Sequence, residues 1–301
     1  MSAQNFVPEI WDAALLLKLR DELVYAQPGM INRNYEGDVA RAGDTVYVTT
    51  PKDVKVRSYT KNAGVSASAE NNSAGAIAGI QYDLTDTAAQ TITVNQSDYF
   101  AIMVDDIDRR QKLPGFVEAH VANAARALAE ATDDYVVGVM TNGVPVANQL
   151  GSVTVARPEE AYELLVELRT KMQRGKAPRQ GRWVVVPPEL YAKLLQDDRF
   201  IRNDAAGTTA GLRNGVVGEA AGFTVIESNT VPEAGGEFTV LAGHGEATTY
   251  IDQIVNTEAL RLESGFEDAV RGLHVYDAAV LDERASLLAS AEVTVSPNTS
   301  A

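Results

Sequence analysis

The sequence predicts an α+β protein with an extended limb, and three observations carry that expectation. Residues 43–104 are rich in β-branched side chains and alternate in polarity, residues 114–141 hold apolar side chains at three- and four-residue steps, and the chain beyond 158 mixes short strands with helices. Alternation with a period of two marks a strand facing two environments, whereas the three-to-four step marks a helix face.

The elements follow in order. Residues 8–25 are expected to be helical: Pro8 suits a first helical turn, Glu9 and Asp12 lie where the positive end of the helix dipole favours acids, and Pro28-Gly29 closes the segment. Its apolar stripe is Trp11, Leu15, Leu19 and Leu23. The simpler reading is a helix docked on its own subunit; the sharper one is an arm packing on a neighbour. Strands are expected at 45–50 and 54–59 and again at 91–94 and 99–104. Between them, Ala63-Gly64-Val65-Ser66-Ala67-Ser68-Ala69 and Asn71-Asn72-Ser73 are too small and polar to form a core. The pattern reads as a long two-stranded ribbon, and because isolated ribbons are marginal in water, this one needs a second chain to lie on.

The helix at 114–141 shows Val117, Val121, Ala124, Leu128, Ala131, Tyr135 and Val139 on one face and stops at Asn142-Gly143. At 1.5 Å per residue it spans about 40 Å, long enough to lie across a sheet. His120 falls near its stripe and is expected to be a partly buried structural residue. A second helix runs from Pro158 to about Met172 with Leu164, Leu165, Leu168 and Met172 inward, followed by a turn over 175–181. Residues 182–188 read as a buried strand stopped by two prolines, and 189–195 as a short helix. A Gly- and Ala-rich loop at 203–215 precedes strands at 223–227, 238–241 and 274–281, with a helix expected around 246–254.

Composition narrows the function. The chain carries 41 acidic against 26 basic residues, a net charge of −15, so wrapping nucleic acid by phosphate neutralisation is not its work. It has no cysteine, which removes disulfides and thiolate metal sites, and its three histidines, His120, His244 and His274, are far apart. Nothing resembles a secretory signal or an apolar run of about 20 residues, so a soluble, cytoplasmically made product without a membrane partner is expected.

The remaining motifs are weak as chemistry. Gly243-His244-Gly245-Glu246 lacks the third glycine and the acidic partner of a dinucleotide site and reads as a turn before a helix. Asp105-Asp106-Ile107-Asp108 lacks calcium-loop spacing and reads as an acidic helix start. Lys171, Arg174, Lys176, Arg179 and Arg182 form a basic cluster open to three readings: a nucleic-acid patch, a solvated helix end, or an intersubunit salt-bridge surface. The solvated helix end is the plainest. No catalytic, cofactor-binding or metal-ligating arrangement emerges.

Several segments, in order, resemble the major capsid proteins of tailed bacteriophages, particularly siphophages of actinobacteria. They are Phe6-Val7-Pro8-Glu9-Ile10-Trp11, Asn34-Tyr35-Glu36-Gly37, Ala42-Gly43-Asp44-Thr45-Val46, Tyr59-Thr60-Lys61-Asn62, Asp98-Tyr99-Phe100 and Val104-Asp105-Asp106-Ile107-Asp108. The most specific are Pro178-Arg179-Gln180-Gly181-Arg182-Trp183-Val184-Val185-Val186-Pro187-Pro188 and Asp197-Asp198-Arg199-Phe200, with Leu212-Arg213-Asn214-Gly215 and Gly218-Glu219-Ala220-Ala221-Gly222-Phe223 completing the set.

The resemblance implies the Hong Kong 97 phage fold and a map: an N-terminal arm over 1–42, an extended E-loop ribbon over 43–97, and a peripheral domain over 98–182 with a spine helix at 114–141. An axial domain follows over 183–268, and residues 269–301 form a return strand and tail. It also implies a structural, non-enzymatic subunit that forms hexamers and pentamers of an icosahedral shell around double-stranded DNA. Because no long scaffolding extension precedes the first helix, a separate scaffolding protein is expected, with portal and decoration proteins as further partners. The candidate intersubunit contacts are Trp11, Tyr59, Lys61, Asn62, Arg174, Lys176 and Arg179. Lys61 lies where some members crosslink to a neighbour's asparagine. The competing expectation is an encapsulin-like compartment shell on the same fold.

Overall fold

The computed structural model describes residues 23–34, 45–51, 87–105, 116–197, 218–261 and 267–296. The chain divides into a small unit, Tyr47–Thr91, and a large one comprising Met1–Val46 and Ile92–Ala301. Strands β1 (Thr45–Pro51) and β2 (Thr87–Thr93) pair as a two-stranded sheet. Along β1 the side chains alternate as the sequence predicts, Val46 and Val48 buried and Tyr47 exposed.

In the large unit, β3 (Gln96–Asp105) is followed by the long helix α1 (Phe116–Gly143), whose 28 residues extend about 42 Å. Then come β4 (Gln149–Val155), α2 (Pro158–Arg174), β5 (Arg182–Val186) and α3 (Pro188–Leu194). The chain continues through β6 (Glu219–Ala220), β7 (Phe223–Glu227), β8 (Glu233–Ala234) and β9 (Glu237–His244). It closes with β10 (Thr248–Arg261), β11 (Glu267–Val280) and β12 (Ala289–Val295).

These strands make two sheets. One is antiparallel and three-stranded, in the order β10-β11-β3. The other has seven strands, in the order β4-β12-β9-β5-β7-β6 with β8 paired to β9. Every residue of β5 is buried, which a strand flanked on both edges and covered on both faces requires. The inward side of α2, with Leu164, Leu165, Leu168 and Met172, joins the same core as Trp183, Val185, Phe223 and Leu241. That stripe is the one the sequence predicts.

Three expectations need correction. The helix expected around 246–254 is instead the start of β10: Thr248, Thr249, Tyr250 and Ile251 are β-branched or aromatic and all buried, and the strand pairs with β11 along nearly its whole length. Gly243-His244 therefore ends β9, and Gly245-Glu246 begins the turn into β10. Of the helix expected over 8–25, residues 8–22 lie outside the described residues, and residues 23–25 are irregular and turn, not helical. On α1 the inward face is rotated from the predicted one: Ala131 is exposed, while Thr132, Asp133, Val136 and Met140 are buried. Two polar residues belong to that face because each finds a partner inside, Thr132 donating from its hydroxyl to the Leu128 carbonyl at 2.8 Å. The side chain of His120 lies outside the described residues.

Candidate functional site

The described part of the N-terminal region is a short irregular segment, 23–34, fastened to the rest of the large unit by buried charges. Leu23, Tyr25 and Ala26 are buried beside α1. There Asp133 turns inward and accepts backbone N–H bonds from Val24 at 2.6 Å, Tyr25 at 3.0 Å and Ala26 at 3.2 Å. Burial pushes the Asp133 carboxyl up to about 6, against the three N–H groups that favour its charged form. Further along, the Asn32 N–H donates to the Thr248 carbonyl at 2.9 Å, and the Tyr250 N–H donates to the Asn32 carbonyl at 2.9 Å.

Arg33 completes the attachment. Its guanidinium donates to the Ala26 carbonyl at 3.0 Å and to both Asp252 oxygens at 3.2 and 3.1 Å, and it lies 5.2 Å from the centroid of the Tyr250 ring. His274 stacks on Tyr276 at 4.8 Å and brings Nε2 to 3.8 Å from Asp252, an ion-pair distance too long for a hydrogen bond. Burial alone would raise the Asp252 carboxyl; His274 and Arg33 beside it more than offset this and hold it below the usual carboxylate range. A carboxylate, an imidazole and a guanidinium together invite a catalytic reading. The side chains are only 9% exposed for Arg33, 3% for Asp252 and 1% for His274, so no substrate reaches them. The chemistry available here is attachment of a chain segment. Asp277 acts similarly, accepting from the Tyr135 hydroxyl at 2.8 Å and the Asn95 N–H at 3.1 Å, so that α1, β11 and the β2–β3 turn are tied together.

The outer surfaces are different in kind. On the three-stranded sheet, Tyr99 and Met103 of β3 are 76% and 60% exposed, and Leu273, paired with Tyr99 across the strands, is exposed as well. These large apolar groups share one sheet face. At the end of α2, the basic cluster separates into two roles. Arg174, Lys176 and Arg179 are exposed. Arg182 corrects the solvated reading for its own position: it is 3% exposed and donates to the Pro178 carbonyl at 2.5 Å, the Ala177 carbonyl at 2.7 Å and Gln173 Oε1 at 2.9 Å, holding the turn. Burial, with Arg169 and Arg179 nearby, lowers its pKa. Trp11, Tyr59, Lys61 and Asn62 lie outside the described residues.

Sequence reasoning did not single out Asp133, Asp252 or Arg33. The available signal was an acid within an apolar period, Asp133 between Ala129 and Val136, since a charge in a buried stripe implies a partner.

A three-stranded sheet backed by one long helix, a seven-stranded sheet, sealed ionic attachments and open apolar and basic surfaces describe a building block that works through its surfaces. The sequence model of a phage capsid protein family matches residues 87–288, and the chain belongs to that family. Its mixed helix-and-sheet architecture is the Hong Kong 97 type of capsid fold. A solved structure of Mycobacterium phage Che8 is 26% identical, with a TM-score of 0.67 over 89% of this chain and 90% of its own. The actinobacterial resemblance agrees with it. The capsid of cyanophage P-SCSP1u is 14% identical, with a TM-score of 0.63 over 89% of this chain and 86% of its own. An encapsulin complex from Synechococcus elongatus is 13% identical, with a TM-score of 0.50 over 69% of this chain and 77% of its own. The last two likenesses show the fold alone. No curated protein sequence matches the chain.

Proposed function

We propose that this capsid subunit assembles as hexamers and pentamers into an icosahedral shell that encloses phage double-stranded DNA without reading its sequence, and that it performs no catalysis. The observation that supports this best is the sheet face bearing Tyr99, Met103 and Leu273, an apolar surface left open by the subunit's own described residues. A net charge of −15 fits containment of DNA better than binding to it. In this reading the arm over 1–42 and the ribbon over 43–97 reach neighbouring subunits, with Trp11, Tyr59, Lys61 and Asn62 among the contacts. Residues 98–182 form the peripheral domain, 183–268 the axial domain, and 269–301 return to the periphery. A separate scaffolding protein assists assembly in the host cytoplasm, and portal and decoration proteins complete the virion.

Electron microscopy and light scattering of the purified chain, alone and with scaffolding protein supplied, test the proposal. Closed shells with five- and six-fold capsomers are expected; a stable monomer under both conditions refutes it. The encapsulin likeness shows fold only, and nothing in the described residues favours a cargo compartment.

A further inference from the structure

The seven-stranded sheet is electrically polar from one rim to the other. Strands β4, β5, β7 and β12 run in one direction and β9 in the opposite one. Helix α2 leaves the rim where β4 ends and returns to the rim where β5 begins. At this starting rim stand the exposed Arg174, Lys176 and Arg179. Arg169 joins them: its guanidinium carbon lies 3.8 Å from where a Cβ on Gly222, at the start of β7, would sit. Arg169, Arg174 and Arg179 line one open hollow with Val166, Thr170 and Gln173. At the ending rim stand the exposed Glu159, Glu189, Glu227 and Glu233, just past β4, just past β5, at the end of β7, and beside the start of β9.

None of these eight charges takes part in an ion pair among the described residues. The other charges nearby are largely engaged. At the ending rim Arg157 pairs with Glu160 at 3.0 Å and Lys193 donates inward to the Ala156 carbonyl at 2.9 Å. At the starting rim Lys171 donates to the Ala147 carbonyl at 2.9 Å, and Arg284 pairs with Glu246 at 2.7 Å. The acids Asp282 and Glu283 of the neighbouring turn and the exposed Glu219, opposite Thr224 beside the start of β7, are outnumbered by the four cations, so this rim is basic on balance.

Helix dipoles account for Arg174 at the end of α2 and for Glu159 and Glu189 in first turns. They do not account for Lys176, Arg179, Glu227 or Glu233, which lie outside helices. Nor do the rims neutralise each other within one subunit. A five-residue strand separates them by about 17 Å, roughly twice the screening length of about 8 Å at physiological salt.

We infer that the ending rim of one copy docks on the starting rim of the next, Glu159, Glu189, Glu227 and Glu233 facing Arg169, Arg174, Lys176 and Arg179, head to tail around a ring. A contact between two unlike patches is heterologous, and it closes into a ring when the rotation between copies permits. A second copy of this chain is the occupant because it supplies the complement of both rims at once. A polyanion would satisfy the basic rim and be repelled by the acidic one. The inference rests on the shell reading and names the surfaces within it.

The test uses the full chain under conditions where the wild type forms shells. One variant carries Arg174→Glu with Arg179→Glu, a second carries Glu189→Lys with Glu227→Lys, and a third carries all four changes. Sedimentation and electron microscopy follow assembly, and circular dichroism confirms folding. Each two-residue variant should raise the concentration needed for assembly by about tenfold or more, since like charges then face each other. The four-residue variant should recover most of that loss, and a mixture of the two-residue variants should build even-membered rings but no pentamers.

Two-residue variants that assemble like the wild type overturn the inference, as does a four-residue variant no better than either. Loss confined to the basic-rim variant also overturns it and favours a polyanion there. Should the reversals unfold the subunit, Arg179→Gln and Glu227→Gln replace them. Each is then expected to weaken assembly and flatten its dependence on salt, and an unchanged salt dependence sinks the idea. Failure of the wild type to assemble under any condition refutes the shell reading itself.

Discussion

Replacing Asp133 with Asn tests the buried attachment of segment 23–34. In the folded subunit the carboxyl holds its proton up to about pH 6, against an ordinary value of 3.8. Below both values the group is protonated in either state and exerts no pH-dependent effect on stability. Between them the folded state binds more protons than the unfolded one, so stability falls as pH rises. Above about 6 the full penalty applies: a shift of about two units corresponds to about 3 kcal/mol.

Asn keeps an oxygen for the Tyr25 and Ala26 N–H groups but turns an amide NH2 toward the Val24 N–H, which sits 2.6 Å from Oδ2 in the wild type. That lost bond costs about 1–3 kcal/mol at any pH. The variant does not titrate. The stability advantage of the wild type over Asp133→Asn should therefore be about 2.4 kcal/mol larger near pH 4, where a small part of the penalty is already present, than near pH 7.5. Urea unfolding of the unassembled subunits, followed by circular dichroism across that range, measures the difference and cancels the titration of the other acids. A gap that does not change with pH would refute the reasoning.

Two further outcomes follow from the packing. A Cβ at Gly243 would lie 2.5 Å from Trp183 Cζ2 and 2.8 Å from Leu288 Cδ2, so Gly243→Ala should destabilise by about 1–3 kcal/mol, read as a lower Tm. Asp252→Asn removes the carboxylate charge that faces the buried Arg33 guanidinium at 3.1 Å and should cost about 3–5 kcal/mol, with limited proteolysis showing faster cleavage near residues 23–34.

Much of the large unit was legible in the sequence because its signals are local. The four apolar residues of α2, the unbroken apolar run of β5 and the proline-led start of α3 each carry their own period, boundary or stop within a few positions. The resemblance to phage capsid proteins was legible for a related reason: ordered short motifs survive in sequence without any knowledge of how they meet. The candidate contacts were less legible. Arg174, Lys176 and Arg179 were grouped with Arg182 because one chain segment carries all four, yet sequence proximity does not say which guanidinium faces solvent and which closes a turn.

β10 shows where local reading ends. Residues 246–254 contain no strong stop and suit a helix about as well as a strand; pairing with β11, from Thr248 opposite Val280 onward, decides the outcome. The face of α1 was settled in the same way, by Asp133 finding three N–H donors more than a hundred residues away in sequence. The two charged rims exist only because β4, β5, β7 and β12 run in one direction. The sequence by itself determined the class of protein, its helical and strand segments with a local period, and its acidic balance. Only the tertiary structure decided strand partners, the buried side of α1 and the polarity of the sheet, because each depends on groups brought together from distant parts of the chain.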